Sequence, residues 1–229
     1  MGRPGLRPSQ VAWYGQEAEP LCTLVVGDVH GCAAELEALL DRVRPVTTVF
    51  VGDLFTKGPD PAGVFDLARA HRAVLGNHDA RLLSVLDGER PDDVHGRAVV
   101  EALDASGMQW RAWLRARPLF ESVSGFTVVH AGLHPSGSLA RTERSMALAM
   151  RRFPVDDPSA PLWWQQYTGS RRVIFGHDAI RGLVRVEAQG HPLLIGLDTG
   201  CVYGGSLSGY VIEADEVVQV PAARLYKPV

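Results

Sequence analysis

Five short stretches place metal-competent side chains directly after apolar runs: Gly27-Asp28-Val29-His30-Gly31, Gly52-Asp53, Gly76-Asn77-His78-Asp79, His130-Ala131-Gly132 and Gly176-His177. A carboxylate and an imidazole two residues apart, just past a strand end, can turn toward one point. Flanking glycines let the backbone bend there without a Cβ penalty. Asp28, His30, Asp53, Asn77, His130 and His177 together offer two carboxylates, three imidazoles and an amide oxygen. That exceeds what one tetrahedral ion accepts. It suits two ions with a shared carboxylate, and Asp53, central in chain order, is the expected bridge. Oxygen and nitrogen donors without sulfur favour manganese, iron or zinc, with cobalt also fitting, over magnesium or copper(I).

Two divalent transition-metal ions, about 3.5–4 Å apart, activate a water and clamp an in-line displacement at phosphorus. The expected reaction is metal-assisted hydrolysis of a phosphoester or phosphoanhydride without a covalent enzyme intermediate. His78 is left outside the ligand set; beside Asn77 it is placed to protonate the leaving oxygen as general acid. Lys57, within a site loop, and Arg151 are the candidate phosphate holders: Arg grips two oxygens, and Lys acts as a point charge.

These residues need a scaffold that brings strand ends together. Leu21–Val26, Val46–Val51, Ala73–Leu75, Phe126–Val129 and Val173–Phe175 read as buried strands. Helices are expected over Cys32–Val43, stopped by Pro45, from Asp60 and Pro61 with the proline in the first turn, over Ala80–Leu86, and over Ala140–Arg152. Residues 97–117 read as two helices broken near Gly107, with Trp110, Trp113 and Leu114 as packing residues. The stretch His191–Val220 reads as short strands and Gly-rich turns. Repetition of strand, polar loop and helix predicts an α/β sheet with its site at the strand ends.

The 229 residues are 46% apolar and 21% charged with a net charge of −3. This balance excludes wholesale disorder and gives no electrostatic sign of bulk nucleic-acid binding. Residues 1–20 read as a tail or lead-in, with Trp13 and Tyr14 able to dock on a body of 21–229. The start carries charge but no apolar signal region, and no apolar run approaches the ~18 residues that cross a bilayer. Cys22, Cys32 and Cys201 lack close zinc-type spacing and read as reduced thiols in the cytoplasm.

The ordered set Gly27-Asp-Val-His-Gly31, Gly52-Asp53, Gly76-Asn-His-Asp79, His130-Ala-Gly132 and Gly176-His177 resembles the signature of the calcineurin-like metallophosphoesterases, in their phosphoprotein-phosphatase branch. The resemblance runs over about residues 22–207. It implies an α/β fold, a central β-sandwich flanked by helices (α/β/β/α), with the dinuclear centre above and His78 as proton donor. In the second motif Thr56 stands where protein phosphatases carry an aspartate that orients the histidine, and Lys57 where they carry an arginine. Leu197-Asp198-Thr199-Gly200-Cys201, followed by Gly204-Gly205, is similar to the last motif of the symmetrical diadenosine tetraphosphate hydrolases.

The resemblance therefore implies a hydrolase of dinucleoside polyphosphates. Three alternatives stay open at this point: a serine/threonine phosphoprotein phosphatase, a hydrolase of capped or 5′-polyphosphorylated RNA, and an inactive nucleotide-sensing module. Trp163, Trp164, Tyr167 and Tyr203 are candidates either for nucleobase stacking or for packing.

Overall fold

The computed structural model describes residues 22–91, 94–107, 109–155 and 157–228. The expected lead-in with Trp13 and Tyr14 lies outside these. The first strand, β1 (Thr23–Val26), runs through α1 (Ala33–Val43) to β2 (Thr47–Phe50), which pairs with it in parallel, Val25 opposite Val49. Helix α1 ends at Arg44, whose left-handed φ of 51° lets its N–H reach the Leu40 carbonyl just ahead of Pro45. Asp60 caps α2 (Pro61–Ala68) by accepting from the Gly63 N–H at 2.8 Å. A two-residue strand, β3 (Arg72–Ala73), joins β2 in parallel before α3 (Asn77–Leu86), α4 (Val94–Ala105) and α5 (Trp110–Arg115).

The second half begins with β4 (Phe120–Val123) and β5 (Phe126–Val129), continues through α6 (Arg144–Ala149) to β6 (Arg172–Phe175), and adds β7 (Val184–Ala188) and β8 (His191–Gly196). The chain then returns to the first sheet with β9 (Ser206–Val211) and β10 (Glu216–Pro221). Strand order is β10-β9-β1-β2-β3 in one sheet and β4-β5-β6-β8-β7 in the other.

Side-chain alternation explains the layers. Val25, Val49, Val128, Ile174 and Ile195 point between the sheets and form a buried sandwich core with Phe126 and Tyr210. Their neighbours Leu24, Val26 and Phe50 point the other way, onto α1, α2 and the α4–α5 pair. On the outer face of the second sheet, Val129, Val173, Phe175 and Leu194 pack on α6 and Trp163. The result is the four-layer α/β/β/α arrangement expected from the sequence. No helix among the described residues is long and apolar enough to cross a membrane.

Several expected boundaries shift. Helix α6 covers only Arg144–Ala149 of the predicted Ala140–Arg152, because Met150 turns extended and buries against Trp163, and Arg152 bridges Leu162. Arg151 is thereby outside the helix. Trp110 and Leu114 are buried, and Trp113 packs against the same core. Trp163 is also buried, edge-on to Phe175 at 5.0 Å, so it serves packing.

Candidate active site

Every predicted donor sits in a loop or first helical turn leaving a strand, and both sheets contribute. Asp28 and His30 follow β1, Asp53 follows β2, Asn77 opens α3, His130 follows β5 and His177 follows β6. The bends are tight enough to force L-residues into left-handed backbone: His30 (φ 49°), Asp53 (φ 55°), Lys57 (φ 76°) and His177 (φ 74°). Such strain persists where surrounding structure over-determines it.

The six donors converge. Oxygen Oδ2 of Asp53 lies 3.6 Å from His30 Nε2 and equally 3.6 Å from His130 Nε2. Donor atoms of Asp28, Asp53 and His130 all fall within 4.8 Å of one another. Asn77 Oδ1 is 2.8 Å from His130 Nε2 and 3.0 Å from His177 Nδ1. Asp28, His30, Asp53, His130 and His177 are buried.

The polar pattern fits a cationic occupant. His130 Nδ1 lies 2.9 Å from the Val51 carbonyl and His177 Nε2 lies 3.2 Å from the Ala149 carbonyl. A carbonyl can only accept, so each of those nitrogens carries the proton. The opposite nitrogen of each ring is left as a lone pair facing inward. With the Asn77 amide turned oxygen inward, three acceptors meet with no proton among them. Oxygen Oδ2 of Asp28 is buried without a hydrogen-bond partner. A cation satisfies such a cluster, and the outward N–H to carbonyl bond is the usual support of a metal-ligating histidine.

Electrostatics agree. Burial, then the charges of Asp198 and Asp53, raise the Asp28 carboxyl well above its ordinary range. Burial raises Asp53 to about 7, against the opposing His78 N–H and Lys57. The imidazoles move the other way: burial lowers His130 to about 4 and His177 to about 2, and lowers His30 well below its usual value. Neutral imidazoles are ready to ligate, and crowded carboxylates need positive charge.

Around this centre is a cleft of about 330 Å³ whose wall includes His78, Lys57, Arg151, Tyr203 and the exposed Ile180. His78 is half-buried; its backbone N–H donates to Asp53 Oδ1 at 2.8 Å, and its ring stands edge-on to His30 at 5.3 Å. Lys57 Nζ is 3.0 Å from His30 Nε2 and 5.3 Å from the Tyr203 ring centre. Arg151 reaches the rim from its irregular segment, 3.5 Å from the Asp178 carboxylate.

Two residues that the sequence named only as members of motifs, with no role assigned, adjoin this centre. Asp198 is buried and lines the cleft, and burial raises it to about 6. Its signal was present: it follows the apolar run Leu193–Leu197 in the same strand-end design. Asp79 is fully buried and accepts from the N–H groups of Asp53 (2.7 Å), Leu54 (3.1 Å) and Gly76 (3.3 Å), fastening the Asp53 loop to the start of α3. Thr56, which stands in place of the family's orienting aspartate, has its hydroxyl 3.3 Å from His30 Nδ1.

Comparison with known proteins is decisive at the family level. The sequence matches the calcineurin-like phosphoesterase family over residues 23–192. The chain belongs to the calcineurin-like phosphoesterases. Members of this family use divalent metals, in keeping with the acid and imidazole cluster. The chain is 30% identical to a symmetrical bis(5′-nucleosyl)-tetraphosphatase of Ralstonia nicotianae, over 89% of this chain and 95% of the relative. It is 29% identical to a protein of that name from Vibrio cholerae, over 82% and 94%. A solved structure described as a candidate diadenosine tetraphosphatase superposes with a TM-score of 0.74 at 34% identity, over 88% of this phosphoesterase and 93% of that chain.

Proposed function

We propose that this phosphoesterase is a dinuclear-metal hydrolase of dinucleoside polyphosphates, cutting diadenosine tetraphosphate into two diphosphates. The observation that carries the metal part is the single Asp53 oxygen lying equally close to His30 and His130. The substrate part is supported by the names of the relatives, which match over nearly their whole lengths, and by a cleft whose rim offers both cations and apolar side chains.

In this reading Asp28, His30 and Asp53 hold one ion, and Asp53, Asn77, His130 and His177 hold the other, with manganese the first choice and iron, zinc or cobalt possible from the same donors. The ions supply Lewis acidity and an activated water when bound. Asp79 fixes the Asp53 loop so that its carboxylate faces both sides of the site. Lys57 and Arg151 hold phosphate oxygens. His78 gives its ring proton to the leaving phosphate oxygen. Residues 21–229 then act as one catalytic domain. The thiols of Cys22, Cys32 and Cys201 are unbridged, which suits a cytoplasmic setting.

Product analysis tests the reading. With manganese, diadenosine tetraphosphate is expected to yield diphosphate only, and to be turned over far faster than a phosphoserine peptide at equal concentration. Preference for the peptide would make this a protein phosphatase instead. Mono- plus triphosphate products would overturn symmetrical cutting.

A further inference from the structure

Lys57 lines the catalytic cleft and also a second groove of about 320 Å³, whose other lining residues are Gly58, Pro59, Arg224, Leu225 and Tyr226. Its wall is the chain's C-terminal segment, which is firmly seated. The N–H groups of Tyr226 and Lys227 both donate to the Val202 carbonyl, at 3.2 and 3.0 Å. The Ala223 N–H and the Tyr226 hydroxyl donate to Glu35 Oε1 at 2.9 and 2.7 Å. Glu35 is itself buried in α1. The groove is thus a built surface beside the site.

Its chemistry is one-sided. The lining holds two cationic side chains and no carboxylate. The Arg224 guanidinium lies 5.2 Å from the Tyr226 ring centre, and Leu225 is 57% exposed beside them. Cations next to an aromatic face and an apolar side chain match a phosphate joined to a nucleobase. In the catalytic cleft itself, Ile180 is 80% exposed and shares the wall with Arg151. A substrate with two identical nucleoside ends and its scissile bond in the middle requires a holding surface on each side. Lys57 is the lining residue that the two clefts share.

We propose that the Arg224–Tyr226 groove is the subsite for the second nucleoside diphosphate half of the substrate, with Arg224 on its phosphates and Tyr226 and Leu225 against its base. This rests on the dinucleotide reading above. Arg224 is exposed, so its replacement leaves the fold alone.

The test measures kcat/KM with manganese for diadenosine tetraphosphate and for p-nitrophenyl phosphate, which has no second half. In Arg224→Glu the preference for the dinucleotide is expected to fall about tenfold, through KM rather than kcat, the size of one charge-assisted hydrogen bond. Arg224→Lys should recover most of that loss. An unaltered preference in Arg224→Glu, in an enzyme that still favours the dinucleotide, overturns the subsite and leaves the function standing. A fall through kcat on both substrates also overturns it. A wild-type protein with no preference for the dinucleotide overturns the functional reading and the subsite with it.

Discussion

In the proposed mechanism His78 gives up a proton in a site that keeps it neutral. Burial, then the charge of Lys57, lowers its ring to about 3. A phosphate chain resting on Lys57 cancels that charge, so proton affinity rises when substrate is bound, which ties donation to occupancy. Replacing His78 with Asn should lower kcat on diadenosine tetraphosphate about 10²- to 10³-fold, the usual worth of a positioned acid. A p-nitrophenyl ester, whose leaving group departs without a proton, should lose much less. Equal losses on both substrates would remove His78 as donor. The convergence of the candidate donors was legible because acid, amide and imidazole groups recur after apolar runs, a pattern each side chain announces by type. What types do not announce is the partner across space. Thr56 on His30, and Asp79 gathering three backbone N–H groups from two loops, become visible only once the loops are folded together.

Elements set how tightly the donors can approach. The end of β6 runs against the end of β1, and Gly176 is where they touch: a Cβ there would stand 1.9 Å from Asp28 Oδ1 and 2.7 Å from a Val51 methyl. The Asp28 oxygen is held in that position by the His177 N–H at 3.1 Å, so making room means giving up that bond. Gly176→Ala should therefore displace the Asp28 carboxylate, lowering metal affinity about 10- to 100-fold, as loss of ligand support does elsewhere. Far-UV circular dichroism should be unchanged while metal titration shows the loss; full metal affinity in the variant would mean the strand ends are looser than they look. Buried strands and amphipathic helices of this scaffold were readable, since β1, β2, β5 and β6 are short apolar runs with few competing readings. Strands β4 and β7 were not. Each is partly exposed and mixes charge with apolar residues, as in Phe120-Glu121-Ser122-Val123 and Val184-Arg185-Val186-Glu187-Ala188. Each lies at a sheet edge, where pairing rather than composition makes the strand.

At the scale of the molecule, long-range closure was the least legible feature. Strand β9 returns to pair with β1, Leu24 opposite Val211, and brings Cys201 to within 4.8 Å of the Cys32 thiol and the Glu35 carboxylate. No sequence spacing foretells that meeting. The strand ends of the two sheets also crowd Asp28, Asp53, Asp79 and Asp198 together, close enough for Asp53 to act on the other three, and in the proposed centre this crowding sets how metal binding responds to pH. The carboxyls are raised, Asp53 and Asp79 to about 7 and Asp198 to about 6, with burial the main cause. Unfolded carboxyls release protons near pH 4, so between about 4 and 7 the folded metal-free protein binds more protons and loses stability as pH rises. The imidazoles are lowered, so between about 3 and 6.5 the unfolded chain binds more protons and stability rises with pH. The two slopes oppose, and the metal-free melting temperature should change little from pH 4.5 to 6.5. Metal breaks the balance. The imidazoles are already neutral at pH 6, so the protons it must displace come from the carboxyls near 6 to 7. The rise in melting temperature on adding manganese should therefore be larger at pH 8 than at pH 6, with proton release on binding, measured calorimetrically in two buffers, larger at pH 6. A metal-induced rise that shrinks from pH 6 to pH 8 would mean that these carboxylates are not what the ions displace protons from.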